Sequence, residues 1–479
     1  MLKKYIIGID QGTTSSRVVV VDRAGDVIVK EQMEVEMFEE KNGELLQHPK
    51  ELVETITVLL KRIFTHHKIK PKEVAGIGIT NQRETTILWN KYTKEPIYDA
   101  ISWQSKHTNF ITNKWIEDGL EAKVLKKTGL TINPYFSASK IVYILEKVKP
   151  DHKDILFGTV DSYIIYCLTN GKVHKTDITN ASRTMLFNIF DEKWDQELLN
   201  LFKIPVEILP EVVANDHEFG YYEYDDVKIP IFGVIGDQQA SLFGHQCFEK
   251  GSIKATYGTG GFLLVNTGDK PYLSDQGLLT TIAWKRENKT IYALEGSIFI
   301  CGAAVQWLRD ELGIIIRSSD SEKSAKKSID NEVYVVPAFV GLGTPYWDSE
   351  VKASILGLKR KSNKDDIAKA TLDSIAYQIE DVLRLIKSET KLIIKELSVD
   401  GGASENGYLM QFQSDISNIK IIRNKEVEVT ALGACYIAGL KAGFWKDLKE
   451  VTLNKKIEKL YYPRMNELER ARRYHNWLL

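Results

Sequence analysis

The sequence predicts an α/β protein of two packed domains with a cleft between them. Apolar strands alternate along the chain with segments of helical spacing, which is typical of the α/β class. The 479 residues exceed what one ordinary hydrophobic core accommodates, so two domains are expected. The chain has no low-complexity tract and no proline-rich or Gly/Ser-rich linker. Domains in direct contact are therefore favoured over domains on a flexible tether.

The first part of the chain carries strand and helix patterns in alternation. Runs of apolar residues predict the strands, and an Ala24-Gly25-Asp26 turn predicts that two of them form a hairpin. Apolar side chains at helical spacing predict the helix that follows. The predicted elements are a strand over 5–10, a hairpin from 17–22 to 26–32, a helix over 49–64 and a strand over 74–80.

The second part repeats this theme. Residues 229–244 are predicted to form a strand, a turn and a helix, and residues 252–266 a hairpin around a glycine turn. Residues 396–416 again predict a strand, a glycine turn and a helix. Because apolar strands repeatedly end in Asp-Gly or Gly-Thr-Gly, we expect two related halves. The predicted domains are 1–245 and 246–479.

Composition and charge give no support for several classes of partner. The 64 Lys and Arg residues nearly balance 65 Asp and Glu residues, so net charge gives no support for a nucleic-acid partner or a membrane surface. No stretch approaches the roughly 20 apolar residues of a membrane span. The four cysteines lie far apart, with no pair at metal-ligand spacing. We expect reduced thiols and a cytoplasmic protein.

The polar turn DQGTTSSR (10–17) lies between two apolar runs and carries the groups of an anion-binding loop. Gly12 permits a tight turn, and the hydroxyl residues after it offer amides and hydroxyls to a phosphate. Asp10 supplies an oxygen of the kind that Mg²⁺ prefers, and Arg17 supplies a cation for a transferring phosphoryl group. Taken alone, the stretch is equally compatible with an ordinary hairpin turn. The candidate phosphate-binding residues are Thr13, Thr14, Ser15 and Arg17.

Three further glycine turns, YGTGGF (257–262), CGAAVQW (301–307) and DGGASEN (400–406), favour a nucleotide held between the two halves. In the last two, a side-chain amide follows a glycine four residues later, which predicts that both lie on one helix face. A glycine that serves only helix packing is the alternative for Gly302. The candidate nucleotide-binding residues of these turns are Thr259, Gly302, Gln306, Gly402 and Asn406.

Three common site classes are excluded by their missing motifs. The chain has no G-x-x-x-x-G-K-[ST], so it is not a P-loop enzyme. No G-x-G-x-x-G opens the first helix of a βαβ unit, which argues against a Rossmann dehydrogenase. The zinc-protease motif H-E-x-x-H is absent as well.

The acceptor side of the site is predicted from Arg83 and Glu84, which follow a strand in TNQRETTILW. A vicinal diol needs a donor fork beside a carboxylate, because Arg donates to the hydroxyl oxygens and Glu accepts their protons. Trp103 and Tyr135 stand near polar neighbours and could wall the carbon side of a small polyol. A solvated ion pair and two ordinary core aromatics are the alternatives for these four residues.

Asp237, in GDQQA at the end of an apolar strand, is the candidate general base. A kinase needs one such carboxylate to accept the proton of the attacking hydroxyl. Gln238 beside it could hydrogen-bond the acceptor. A turn-forming aspartate is the alternative.

Taken together, these stretches resemble the glycerol-kinase branch of the FGGY family of carbohydrate kinases. The resemblance covers essentially the whole chain and rests on long motifs. They are DQGTTSSR (10–17), GITNQRETT (78–86), NPYFS (133–137), TNASRTMLFNI (179–189), GDQQASLFG (236–244), TYGTGGF (256–262), YALEGSIF (292–299), VPAFVGLGTPYWD (336–348) and VDGGASENGYLMQFQSDI (399–416).

The resemblance implies two ribonuclease-H-like domains of the actin/hexokinase superfamily, flanking a deep catalytic cleft. It implies in-line phosphoryl transfer from ATP to glycerol, giving sn-glycerol 3-phosphate, with Asp237 as base and Asp10 and Asp237 near Mg²⁺. It also implies a homodimer or a dimer-derived tetramer. The residues implied to bind glycerol are Arg83, Glu84, Trp103, Tyr135, Asp237, Gln238 and Phe262, and those implied to bind the nucleotide are Thr13, Thr14, Ser15, Arg17, Thr259, Gly302, Gln306, Gly402 and Asn406.

Two rival functions stay open at this point. One is a kinase of the same family for another polyol or ketose, and the other is a nucleotide-dependent binding protein without catalysis. The Gly/Arg-rich loop that binds fructose 1,6-bisphosphate in some bacterial relatives is replaced here by YYEYDDVKIP (221–230). We therefore expect no inhibition by that effector.

Overall fold

The computed structural model describes residues 3–40, 43–329, 332–348 and 350–479. The strands of the first half are β1 (Tyr5–Gln11), β2 (Ser15–Val21), β3 (Val27–Glu34), β4 (Phe38–Glu39), β5 (Leu45–Gln47), β6 (Val74–Asn81), β7 (Ile87–Asn90), β8 (Ala100–Ile101), β9 (Ile155–Gly158), β10 (Lys175–Asp177), β11 (Phe187–Asn188), β12 (Lys193–Trp194), β13 (Glu211–Val213), β14 (Tyr221–Tyr224) and β15 (Val227–Gly236). Its helices are α1 (Pro49–Thr65), α2 (Asn109–Glu117), α3 (Glu121–Thr128), α4 (Ser137–Val148), α5 (Val160–Leu168), α6 (Ile178–Ala181), α7 (Gln196–Phe202) and α8 (Asp237–Gly244).

The second half is built in the same way. Its strands are β16 (Ile253–Tyr257), β17 (Gly261–Gly268), β18 (Leu279–Arg286), β19 (Lys289–Ile298), β20 (Tyr334–Val336), β21 (Ser354–Leu356), β22 (Glu396–Asp400), β23 (Lys420–Asn424) and β24 (Ile457–Tyr461). Its helices are α9 (Gly302–Asp310), α10 (Asp320–Lys327), α11 (Lys364–Thr390), α12 (Gly407–Ser417), α13 (Val429–Lys441), α14 (Leu448–Thr452) and α15 (Glu467–Leu478).

The main sheets of the two halves share one strand arrangement. The first sheet has the order β14-β15-β6-β1-β2-β3, in which β1, β2 and β3 are antiparallel neighbours and β6 and β15 run parallel to β1. The second has the order β18-β19-β17-β16-β22-β23-β24, with β16 antiparallel to β17 and parallel to β22. The expected pair of related α/β halves is confirmed. The division at residue 245 stays a prediction.

Two local expectations need correction. Residues 229–244 were expected to hold a turn between strand and helix, but β15 ends at Gly236 and α8 begins at the next residue, Asp237. Gly402 and Asn406 were expected on one helix face. The structure has a short 3₁₀ helix over Gly402–Glu405 and uses Asn406 as the N-cap of α12, because its side chain accepts from the Leu409 amide.

Helix α13 of the second half packs against the sheet of the first half, over β1, β6 and β15. Glycines allow this close approach. A Cβ on Gly78 would lie 2.3 Å from the Ala434 carbonyl oxygen, and one on Gly433 would lie 1.9 Å from the Ala240 carbonyl oxygen in α8. Residues of α13 and strand residues of the first half thereby form one hydrophobic cluster. Within the described chain, every helix is too short or too polar to cross a bilayer.

Candidate active site

The two predicted strand-end carboxylates lie at one edge of the first sheet. Asp10 stands near the end of β1 and Asp237 directly after β15, and β6, which runs parallel to both strands, separates them. Carboxyl ends of parallel strands form the ligand-binding edge of such sheets. Burial raises the pKa of each carboxyl group to about 6, against the opposing charges of Arg17 and Arg83 respectively.

The loop between β1 and β2 holds the first phosphate candidates. Asp10 and Arg17 are cross-strand partners, and Arg17 Nη1 lies 3.2 Å from Asp10 Oδ2. The same Nη1 lies 3.4 Å from Oε2 of Glu428, which belongs to the second half. Thr14 is exposed at the tip of the loop, and Ser15 is buried. The Arg17 guanidinium is thus held between two carboxylates at the junction of the halves.

The Arg83 guanidinium is buried in a network that spans both halves. It donates to both carboxylate oxygens of Glu295 in β19, with distances of 2.6 and 3.2 Å. Its Nε lies 3.2 Å from Asp237 Oδ1, whereas Glu84 Oε1 is 3.9 Å away. The adjacent Glu84 is therefore a weaker partner of Arg83 than two residues far away in the sequence.

Glu84 is held in a strained backbone conformation, with φ of 61°. Its carbonyl oxygen accepts from Ser137 Oγ at 3.1 Å and from Lys140 Nζ at 3.3 Å. Lys140 Nζ also donates to the Tyr135 carbonyl oxygen at 2.6 Å, and burial lowers the pKa of this lysine to about 7. The Glu84 carboxylate accepts from Arg183 Nε at 2.5 Å. These contacts fix both the backbone and the carboxylate of Glu84.

The three aromatic candidates lie together beside this network. The ring of Trp103 stands edge-on to Tyr135, with centroids 5.6 Å apart, and edge-on to Phe262, with centroids 6.3 Å apart. Trp103 Nε1 donates to Thr13 Oγ1 at 3.0 Å. The aromatic wall is therefore tied directly to the β1–β2 loop.

The nucleotide candidates of the second half surround one cavity of about 440 Å³. It lies between the β16–β17 turn, the start of α9, the 3₁₀ helix before α12 and the start of α10. Asn406 Nδ2 donates to Ser321 Oγ at 3.1 Å, so the predicted amide is already fixed by α10. The predicted residues that line this cavity are Thr259, Gly302, Gln306, Gly402 and Asn406.

Comparison with known proteins identifies the family to which these features belong. Residues 5–244 match the N-terminal domain of the FGGY family of carbohydrate kinases, and residues 253–442 match its C-terminal domain. The chain belongs to the FGGY family of carbohydrate kinases.

Members of this family with curated names cover the chain throughout. The glycerol kinase of Enterococcus casseliflavus is 47% identical over 99% of this chain and 96% of its own length. The glycerol kinase of Lactococcus lactis is 48% identical, over 99% and 97%. The crystal structure of Plasmodium falciparum glycerol kinase with ADP superimposes with a TM-score of 0.93 at 34% identity, covering 99% of this chain and 97% of that one.

Four residues in contact with the candidate site were not predicted from the sequence: Arg183, Lys254, Glu295 and Ser321. The Glu295 carboxylate accepts hydrogen bonds from Arg83 and Arg183. Burial by itself would raise the pKa of Glu295, but the charges of these two arginines lower it to about 2. The buried Lys254 donates to Gln238 Oε1, and Ser321 binds Asn406. Glu295 and Lys254 each lie inside an apolar strand, in YALEGSIF and SIKATY. A charged residue in such a position needs a buried partner, and this pattern could have indicated both residues.

The residues present suit a metal ion that arrives with a nucleotide. Among the described residues, no group of three or more His, Cys, Asp and Glu side chains is placed to hold a metal by itself. Asp10 and Asp237 do offer hard oxygen donors at one sheet edge. Mg²⁺ is commonly held by one or two carboxylates together with substrate phosphates and water. This donor set fits that mode.

Proposed function

We propose that this chain transfers the γ-phosphoryl group of ATP to glycerol, forming sn-glycerol 3-phosphate. The observation that carries the proposal is the contact between Arg83 and Asp237, with Nε and Oδ1 3.2 Å apart. This contact places Arg83, the candidate for binding the diol, beside Asp237, the candidate base. The curated relatives that cover 99% of the chain are named glycerol kinases, which supports the same acceptor.

Glycerol binding is assigned to Arg83, Glu84 and the aromatic wall of Trp103, Tyr135 and Phe262. The Glu84 carboxylate accepts hydroxyl protons while the Arg83 guanidinium donates to hydroxyl oxygens. The three rings cover the carbon side of the polyol. Gln238 supplies a further polar contact near Asp237. Because the charges of this network are already paired and buried, the pocket is preorganised before the acceptor arrives.

Asp237 acts as the general base. Its side chain is 29% exposed and stands at the first residue of α8, beside Arg83. It accepts the proton of the glycerol hydroxyl as that oxygen attacks the γ-phosphorus in line with the leaving β-phosphate oxygen. Its raised pKa keeps it basic enough to accept the proton and ionised at neutral pH.

The nucleotide is assigned to both halves. Thr13, Thr14 and Ser15 offer hydroxyls and amides to the phosphates, together with Arg17. The 440 Å³ cavity of the second half takes the nucleoside end. Asp10 and Asp237 would hold Mg²⁺ together with the phosphates, where the ion would neutralise charge on the transferring group. The residues assigned to the nucleotide in the second half are Thr259, Gly302, Gln306, Gly402 and Asn406.

A coupled assay of ADP release with a panel of polyols tests the proposal. Glycerol should give the highest kcat/KM, with erythritol, dihydroxyacetone and xylulose lower. A higher value for another acceptor would assign the chain to a different substrate of the family. ADP release that does not depend on any acceptor would contradict the transfer function.

Assembly and location belong to the same proposal. We assign a homodimer or a tetramer built from dimers, and a cytoplasmic location where ATP is abundant. The described cysteines are all free thiols, in agreement with a reducing compartment. Light scattering coupled to size-exclusion chromatography measures the assembly, and a mass of one 54.5 kDa chain would contradict it.

A further inference from the structure

The buried Lys254 belongs to the second half of the chain, and its ammonium group reaches a residue of the first half. It lies in β16, and its side chain is inaccessible to solvent. Its Nζ donates to Gln238 Oε1 in the first turn of α8 and to Thr256 Oγ1 at 2.8 Å. Burying an ammonium group costs free energy unless its donors are used. The contact with Gln238 therefore requires an explanation.

Strand register places Lys254 on the face of the second sheet that meets the first half. Its cross-strand neighbour is Leu264 in β17, which in turn pairs with Glu295 in β19. Leu264 belongs to the hydrophobic cluster that contains strand residues of the first half. Thr256, two residues after Lys254, pairs with Phe262. Since alternate residues of a strand share a face, Lys254 stands on the same face as Glu295 and Phe262, beside the proposed acceptor pocket.

The contact with Lys254 fixes which end of the Gln238 amide is left for a ligand. An ammonium group donates hydrogen bonds and accepts none, so the amide atom that faces it is the oxygen. Burial lowers the pKa of Lys254, whereas the charges of Asp400, Asp237 and Glu295 oppose that shift and favour the ammonium form. Gln238 itself is half-buried. Its Nε2 reaches no acceptor among the described residues and is not enclosed by them, so its N–H groups are left for a ligand.

The polar groups around the proposed pocket create a need for such a donor. Glu84 and Asp237 are carboxylates, which only accept hydrogen bonds when ionised. Both Nη atoms of Arg83 already donate to Glu295, at 2.6 and 3.2 Å, so part of the donor capacity of this arginine is used within the protein. A hydroxyl group both donates and accepts. A polyol held against two carboxylates therefore needs donors for its oxygens, and Gln238 Nε2 supplies one.

We propose that Lys254 is a positioning residue for the acceptor, which holds the Gln238 amide so that Nε2 donates to an oxygen of the bound polyol. The inference rests on the proposed function, because it takes Gln238 as a contact of the acceptor. Lys254 acts through Gln238 and not by touching the polyol, since its own side chain is inaccessible. Because Lys254 comes from the second half and Gln238 from the first, the donor is set only where the halves meet.

A double-mutant cycle in the full chain tests the proposal, with the KM for glycerol at saturating ATP as the readout. Lys254→Met and Gln238→Ala should each raise this KM about tenfold and leave kcat within about threefold, because the contact is made before the reaction begins. The double variant should resemble Gln238→Ala alone. A rise of about a hundredfold, the product of the two single effects, would overturn the proposal. Lys289→Met, exposed at the start of β19, is the control and should match the wild type.

Gln238→Glu tests the donor while Lys254 stays in place. Glutamate has the shape of glutamine, but its second oxygen accepts where Nε2 donates. We expect the KM for glycerol to rise about tenfold or more in this variant. An unchanged KM would overturn the role given to Nε2.

The same cycle applied to the Kd of glycerol, measured by calorimetry, does not depend on turnover. Lys254 and Gln238 should again be non-additive in this Kd. Non-additive values in a chain that releases no ADP with any polyol would keep the role of Lys254 and sink the proposed function. Additive values in a chain that phosphorylates glycerol would sink the role of Lys254 alone.

Discussion

The Arg83 guanidinium is held by Glu295 from the opposite half of the molecule, through hydrogen bonds of 2.6 and 3.2 Å. The same carboxylate accepts from Arg183 Nη2 at 2.9 Å. Arg83 in turn lies 3.2 Å from Asp237. The proposed acceptor pocket in the first half is therefore shaped by a residue of the second half, and its geometry depends on how the halves meet.

Glu295→Gln should weaken both glycerol binding and the fold. The substitution leaves two buried guanidinium groups with one carboxylate fewer, and breaking a buried pair from one side costs about 3 kcal/mol. We expect the KM for glycerol to rise at least tenfold and the free energy of unfolding to fall by that amount in urea titrations. Glu396→Gln, in a solvent-exposed pair with Lys420, is the control and should change neither quantity. An unchanged KM in Glu295→Gln would contradict the positioning role.

Asp237→Asn should abolish transfer while leaving ligand binding largely intact. The amide cannot accept the hydroxyl proton, so we expect kcat to fall by a factor of about 100 to 10,000. Glycerol and ADP binding, measured by calorimetry, should stay within a few-fold of the wild type. Near-normal turnover in this variant would remove Asp237 from the role of base.

Activity should fall on the acid side of about pH 6. Burial raises the folded-state pKa of Asp237 from its ordinary value of 3.8 to about 6, and only the ionised carboxylate accepts a proton. The log of kcat/KM should therefore decline as the pH falls below about 6. Because the pKa of Asp10 also lies at about 6, the slope of that limb should lie between one and two. A profile that is flat down to pH 5 would contradict this environment for Asp237.

Lys140→Met should impair glycerol binding more than nucleotide binding. The Lys140 ammonium bridges the carbonyl oxygens of Glu84 and Tyr135 and so holds the strained backbone at Glu84. Without it, we expect the KM for glycerol to rise about tenfold and the KM for ATP to stay within twofold. Lys114→Met, at an exposed position of α2, controls for loss of a lysine. Equal increases in both KM values would indicate a general structural defect.

Gly78→Ala should destabilise the junction of the halves. The new methyl group would lie 2.3 Å from the Ala434 carbonyl oxygen of α13, and backbone there cannot yield without moving the helix. We expect the free energy of unfolding to fall by about 3 kcal/mol. Gly76→Ala in the same strand is the matched control, since its methyl group would lie 3.1 Å from the Phe232 ring and 3.5 Å, an ordinary van der Waals distance, from the Pro230 carbonyl oxygen. Equal effects of both substitutions would contradict the close packing of α13.

Local patterns in the sequence were sufficient to predict the central strands of both sheets, the glycine turn between β16 and β17 and the strand-end carboxylates. Asp10 and Asp237 each follow an apolar run, and their meeting at one sheet edge follows from parallel strands. The α8 start at Asp237 was missed because the chain passes from strand to helix without turn residues. The 3₁₀ helix before Asn406 was missed because a segment of four residues that follows a glycine is too short to show a helical spacing of apolar residues.

Contacts between distant residues could not be predicted in the same way. Glu295 lies 212 positions after Arg83 and 112 after Arg183. Nothing in the local pattern of YALEGSIF states which cations its carboxylate meets. The sequence predicted that Arg83 and Glu84 together bind a diol, and it did not indicate that each side chain also has a charged partner far away in the sequence. Such pairings arise only when both halves are folded against one another.

The packing of α13 also bears on the order in which the chain can fold. The sheet of the first half begins at residue 5, yet the helix that covers its glycine-lined face ends at Lys441. On a ribosome, most of the polypeptide must leave the exit tunnel before that face is covered. The domain that is synthesised first is thus completed late, and a fragment ending near residue 245 exposes the bare face and is prone to aggregate.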